Sequence, residues 1–149
     1  MAQPELWVCR HGETEWSRTR RHTGTTDVPL TERGAALARS LADALAGVEV
    51  DLVLTSPRRR ARDTAALAGF PDAAPEPDAA EWDYGAYEGR TTPEIRAEVP
   101  GWDIWTGAVP GGESAADVGA RADRVIARVR RSARTRALLF AHSHLLRVL

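Results

Sequence analysis

Residues 6–16 read LWVCRHGETEW, and the change of character halfway along this stretch decides the fold. Leu6, Trp7, Val8 and Cys9 form a short apolar run suited to a buried strand of a parallel sheet. At Arg10, His11 and Gly12 the chain turns polar and admits a glycine. Parallel α/β folds bind their ligands beyond the carboxyl ends of the strands. A strand ending in Arg-His-Gly therefore carries a cation and an imidazole to the mouth of a crevice, and His11 is the leading candidate for a nucleophile.

Outward from this stretch, strand and helix signals alternate. Residues 17–30 are polar and rich in turn formers, as expected of a loop lying over the first strand's end. Thr31 is placed to cap a helix over Glu32–Ala46, where Leu37, Leu41 and Leu45 recur every four residues and Gly47 supplies a stop. Asp51–Leu54 reads as a second strand. Ser56-Pro57 then predicts a helix opened by a cap and a proline at its first position, with Gly69 closing it. The proline- and alanine-rich residues 71–80 have room for one short edge strand.

Between Glu81 and Gly112 the aromatic residues Trp82, Tyr84, Tyr87, Trp102 and Trp105 gather, which predicts an excursion folded over a pocket. Thr92-Pro93 starts a short helix. Ser114, with Asp117 three residues on, starts a longer one whose apolar stripe is Val118, Ala122, Val125, Ile126 and Val129. Ala137–Ala141 is a buried strand that ends in His142-Ser143-His144, and 145–149 reads as the first turns of a last helix. The alternation predicts one α/β domain over residues 1–149, a three-layer α/β/α sandwich around a mostly parallel sheet.

The 20 basic and 21 acidic side chains of this 149-residue chain leave a net charge of −1, which gives no general reason to expect nucleic acid or an anionic membrane. Cys9, the one cysteine, excludes an internal disulfide, agrees with a reducing compartment, and reads as a small buried hydrophobe. The start, MAQPE, lacks a basic segment followed by an apolar one, and no run reaches the roughly 18 apolar residues of a membrane span. The expectation is a soluble cytoplasmic protein.

Three strand ends carry polar residues able to meet at one pocket: Arg10-His11, the segment SPRRRARDTA at 56–65, and His142. Guanidinium groups match phosphate oxygens in pairs and stay charged at any working pH. A basic run such as 58–62 is otherwise a solvated face, and a lone histidine such as His142 is otherwise structural. His142-Ser143-His144 has metal-like spacing, but no carboxylate or cysteine set completes a site.

RHGETEW at 10–16 resembles the signature of the histidine phosphatase superfamily, which includes cofactor-dependent phosphoglycerate mutases and many small phosphatases. The resemblance implies a phosphoglycerate mutase-like fold, with the C-terminal elements abbreviated or incomplete after Leu149. Its pattern Ser-Pro-x-x-Arg-Ala followed by Thr-Ala puts the phosphate-binding arginine on Arg60, with Arg58, Arg59 and Arg62 left as a solvated face. It puts the second histidine on His142. Its pattern Glu-x-x-Tyr/Phe-Gly-x-x-Glu-Gly puts the proton-donating acid on Glu81 and leaves Glu88 as a pocket wall. With Arg10 and His11 these form the implied catalytic set. HTGTTDVPLTERG at 22–34 resembles the segment lining the substrate side, which places Thr23 and Gly24 near the ligand. Tyr84 and Ser143 join them, and Ser17 stands where the family usually has a longer-reaching asparagine.

The implied activity is a metal-independent phosphomonoesterase, without a cofactor, that hydrolyses small phosphorylated metabolites through a phosphohistidine on His11. EWDYGAYEG with GWDIW is similar to the sedoheptulose-bisphosphatase-like branch and points to sugar phosphates. Mutase-type phosphoryl transfer, a phosphohistidine-protein phosphatase and a non-catalytic phosphate-binding module are the alternatives. An uncovered sheet edge at the end of the chain would favour a homo-oligomer.

Overall fold

β1 (Glu5–Arg10), β2 (Leu52–Thr55), β3 (Ala74–Pro75) and β4 (Arg136–Ala141) form one sheet in the order β1-β4-β2-β3. They are seen in a computed structural model that describes residues 3–149. Every pairing within the sheet is parallel, so the polar residues that follow β1, β2 and β4 emerge on the same edge.

The alternation of side chains along β4 divides the helices into two layers. Leu138 and Phe140 pack with Ala65 and Ala68, beneath α2 (Glu32–Leu45) and α3 (Arg59–Leu67). Ala137, Leu139 and Ala141 face the other way, onto Val118, Val125 and Val129 of α5 (Ala115–Ser132) and Leu145 of α6 (Ser143–Val148). Each fully buried leucine or phenylalanine here is worth about 2 kcal/mol over its exposed state. The result is the three-layer sandwich that the sequence predicts. Among the described residues no helix is long and apolar enough to cross a membrane.

Three expectations need correction. β1 is an edge strand rather than a buried one: Trp7 and Val8 are 39% and 47% exposed. The Arg136 guanidinium covers the Trp7 ring at 4.5 Å. An apolar run records composition, not how many neighbours a strand has.

α3 begins at Arg59, three residues after the expected cap, because the Ser56 hydroxyl is engaged elsewhere. Asp27, from a distant loop, accepts the Arg59 N–H at 2.8 Å in its place. The loop over β1 also contains a short helix, α1 (Glu15–Arg18), closed by a capping box between Thr14 and Ser17. α5 carries the expected cap, Ser114, and α4 (Thr92–Glu98) starts where Thr92-Pro93 suggests, with Thr91 before it as the cap; both caps close capping boxes.

The start of α2 lies flat against the backbone after His11. A Cβ on Gly34 would sit 2.1 Å from the Glu13 carbonyl oxygen, and one on Gly12 would sit 2.6 Å from that of Gly34. Gly119, midway along α5, has open space around it. Gly34→Ala is therefore expected to lower unfolding stability by about 2 kcal/mol through overpacking. Gly119→Ala is expected to raise it by about 0.5–1 kcal/mol through helix propensity. Denaturant midpoints of the two variants check this, and a Gly34→Ala midpoint no lower than the native one would contradict the close approach of α2 to residues 12–13.

Candidate active site

His11 continues the β1–β4 ladder by one bond, its N–H donating to the Ala141 carbonyl at 3.0 Å. The next residue on β4's side is His142, and the two imidazole centroids lie 5.2 Å apart. His11 Nδ1 is 2.7 Å from the Gly12 carbonyl oxygen. A carbonyl only accepts, so Nδ1 carries the proton and Nε2 keeps its lone pair. Burial lowers the His11 pKa to about 4, helped by the Arg60 and Arg10 charges and opposed by the Gly12 carbonyl, so the ring is neutral at neutral pH. The Gly12 N–H donates to Thr64 Oγ1 at 2.9 Å, tying this turn to α3.

His142 is fully buried, with Nε2 2.6 Å from Ser56 Oγ and Nδ1 without a partner among the described residues. Burial, then the charge of Arg60, holds its pKa well below the ordinary value. Ser56 Oγ also accepts the Arg58 N–H at 3.2 Å. The serine therefore joins the ends of β2 and β4 and is not free to cap α3.

Arg60 is likewise fully buried. Its Nη1 donates to the Thr26 carbonyl at 3.0 Å, and its Nη2 to those of Thr23 and Gly24 at 2.8 and 3.1 Å. Its Nε is buried without a partner among the described residues. Glu88 grips the same loop through its amides, accepting from Gly24 N at 2.9 Å and Thr26 N at 3.0 Å. A buried cation thus holds the carbonyls of residues 23–26 and a carboxylate holds their N–H groups. Arg59 and Arg62 face solvent as expected, but Arg58 does not. It is half-buried, with its Nε sealed and unpartnered, and its charge acts on His142 and Arg60. Two residues after Ser56, Arg58 follows the strand end inward before α3 begins.

Glu81 borders the cavity and is tied down at three points. Oε1 accepts from the N–H groups of Trp82 and Leu145, both at 2.9 Å, and Oε2 accepts from that of His144 at 3.0 Å. Burial nevertheless pushes its pKa up, against these three bonds and the Arg60 charge. Arg121 of α5 fixes the approach to Glu81 by donating to the carbonyls of Asp78 and Ala80 at 2.7 and 2.8 Å.

A cavity of about 550 Å³ opens over Arg10, His11 and Glu81. Ser17, Thr23, Tyr84 and Ser143 line it, while Gly24, His142 and Arg60 are not among its lining residues. The Ser17 hydroxyl belongs to the capping box, accepting the Thr14 N–H at 2.9 Å. Thr23 gives its hydroxyl to the Arg21 carbonyl at 2.9 Å. Gly24 packs so tightly that a Cβ would stand 2.3 Å from the Trp82 carbonyl oxygen, which makes it a loop-packing position. The Tyr84 hydroxyl is 2.5 Å from His144 Nδ1.

The outer wall also includes His22, Arg96, Trp102, His144 and Arg147. Trp102 belongs to the aromatic excursion expected over a pocket, His22 to the segment expected on the substrate side, and His144 had left a trace in its spacing from His142; Arg96 and Arg147 were missed.

Residues 6–149 match the family model described as "Histidine phosphatase superfamily (branch 1)". An acid phosphatase of Mycobacterium tuberculosis is 46% identical, over 93% of this chain and 70% of its own length. Sedoheptulose 1,7-bisphosphatase of Saccharomyces cerevisiae is 33% identical, over 97% of this chain and 65% of its own. Among solved structures, that of an open reading frame product of M. tuberculosis superposes with a TM-score of 0.90 at 43% identity, covering 99% of this chain and 78% of that one. The parallel sheet, the two histidines at adjacent strand ends and a match running almost the full length of the chain agree: the chain belongs to the histidine phosphatase superfamily, branch 1.

Proposed function

We propose that this chain hydrolyses phosphate monoesters of small metabolites, sugar phosphates in particular, without a metal, through a phosphohistidine on His11. The observation that carries the reading is the state of His11: a neutral ring whose Nδ1–H is held by Gly12, with Nε2 free to attack. Beside it lie Arg60 Nε, an unpartnered donor suited to phosphoryl oxygens, and His142 Nδ1, a second such donor in the tautomer whose Nε2 accepts the Ser56 O–H, with Arg10 on the cavity wall.

In the first step His11 Nε2 bonds to phosphorus, the ester P–O bond breaks, and Glu81 gives its proton to the departing oxygen. In the second, ionised Glu81 takes a proton from water as the water oxygen bonds to phosphorus. The N–P bond breaks, inorganic phosphate leaves, and both His11 and Glu81 return to their starting states. Burial supports this double role, because it raises the Glu81 pKa toward that of a usable acid. Hydrolysis is preferred to mutase transfer because the two relatives described above carry phosphatase names, and the sugar phosphate preference follows the second of them.

A phosphate-release assay over phosphorylated sugars, glycerates and phosphopeptides, with and without chelator, tests the reading. Release from sugar phosphates that is unaffected by chelator is expected. Strict dependence on added metal, or isomerised rather than hydrolysed glycerate, would overturn it. His11→Ala is expected to cost about 10⁴-fold or more in kcat. Glu81→Ala is expected to slow sugar phosphates about 10²–10³-fold and p-nitrophenyl phosphate, with its better leaving group, far less. Equal losses on both would remove Glu81 from the acid role.

The pH dependence follows from the same two groups. His11 must be unprotonated and is lost as nucleophile only as pH falls through about 4. Glu81 must be protonated and is lost as acid as pH rises through its elevated pKa. The kcat/KM profile, corrected for substrate ionisation, should be a bell with its acid limb near pH 4. An acid limb near the ordinary histidine value of about 6.5 would contradict the buried neutral His11.

A further inference from the structure

Two imidazoles on the cavity wall, His22 and His144, have no part in the phosphoryl transfer described above. Their rings are nearly parallel, 18° apart with centroids separated by 6.1 Å. Each is fixed by a bond to Nδ1, and the two bonds have opposite sense.

His22 Nδ1 lies 2.7 Å from the Arg90 carbonyl oxygen. The carbonyl can only accept, so Nδ1 carries the hydrogen, and in the neutral form of the ring Nε2 offers a lone pair. His144 Nδ1 lies 2.5 Å from the Tyr84 hydroxyl. Tyr84 is buried beside Glu81 and Glu88, which keeps its phenol protonated, so its O–H donates to Nδ1. His144 is itself held neutral by burial, with its pKa near 4, and its hydrogen therefore sits on Nε2. Among the described residues no protein group pairs with either Nε2. One ring presents an acceptor and its neighbour a donor.

We propose that His22 and His144 form a hydroxyl-reading pair, which recognises one C–OH group, or two on adjacent carbons, in the alcohol part of the phosphate ester. A hydroxyl both donates and accepts, and so satisfies both rings at once. A second phosphate or a carboxylate only accepts and would meet the His22 lone pair; an ammonium only donates and would meet the His144 N–H. An aryl or alkyl group would leave both nitrogens unpaired, a penalty that polar sites use to reject analogues lacking the hydroxyl. Trp102 stands edge-on to His22 and Trp105 edge-on to His144, each at 5.5 Å, which steadies the rings and adds apolar wall for a carbon chain. Tyr84 acts through His144 as a positioning residue. The pair deepens the phosphatase reading and rests on it, assigning polyhydroxylated phosphate esters as the substrate class.

The test compares glucitol 6-phosphate with n-hexyl phosphate, esters of equal carbon number that differ in their hydroxyls. The native protein is expected to favour glucitol 6-phosphate by at least tenfold in kcat/KM. His144→Phe and Tyr84→Phe are each expected to reduce that ratio at least tenfold, mainly through KM. His144→Gln, whose amide can still donate, should recover most of the loss. Thermal melting of each variant separates these effects from misfolding. A native ratio near one, or variants that lose both substrates equally while remaining folded, would overturn the pair and leave the His11 chemistry standing. Failure of the native protein to hydrolyse either ester would remove the phosphatase reading and this inference together.

Discussion

The parallel pairing of β1 with β4 is the constraint on which the rest depends. Its register runs from Glu5 opposite Arg136 to Arg10 opposite Ala141, and the His11 N–H adds one more bond to the Ala141 carbonyl. Two residues 131 positions apart in the chain thereby become neighbours with rings 5.2 Å apart. Side chains alternate across a strand, so a slip of one residue would turn Leu138 and Phe140 toward the α5 layer and separate the histidines. The apolar pattern that stabilises the fold and the placement of the nucleophile are therefore the same requirement.

Around that pairing the protein buries charge in a controlled way. Arg60 satisfies three carbonyls of residues 23–26 and Glu88 satisfies the amides of the same loop, so the segment is clamped from both polarities. Among the described residues the buried groups that keep no protein partner are Arg58 Nε, Arg60 Nε and His142 Nδ1, and the charges of the two arginines act on each other and on the His142 ring. A buried unpaired donor costs about 1–3 kcal/mol. A phosphoryl group bonded to such donors recovers that penalty, which ties affinity for the anion to the instability of the site without it. The same electropositive, desolvated setting keeps His11 and His142 neutral, and burial alone drives Glu81 in the protonated direction.

Much of this was legible in the chain because local chemistry dictates it. Thr31 and Ser114 cap the helices expected of them, since a side-chain oxygen beside an exposed N–H is a short-range event. The polar break at Arg10-His11 marks a strand end for the same reason. What escaped depends on distant partners. Trp7 and Val8 look like core residues until β1 is seen to be an edge. Ser56 looks like a helix cap until His142, 86 residues on, takes its hydroxyl. Arg58 cannot be told from Arg59 and Arg62 until the path of the backbone turns it inward. His22 becomes informative only when Arg90 and the stacked His144 fix what its free nitrogen offers.

The most direct test of the account is to quench the native protein in base during turnover of a labelled phosphate ester and locate the label by peptide mapping. The account predicts a base-stable, acid-labile phosphoramidate on His11. Label on another residue, or steady turnover with no covalent phosphate on the chain, would contradict it.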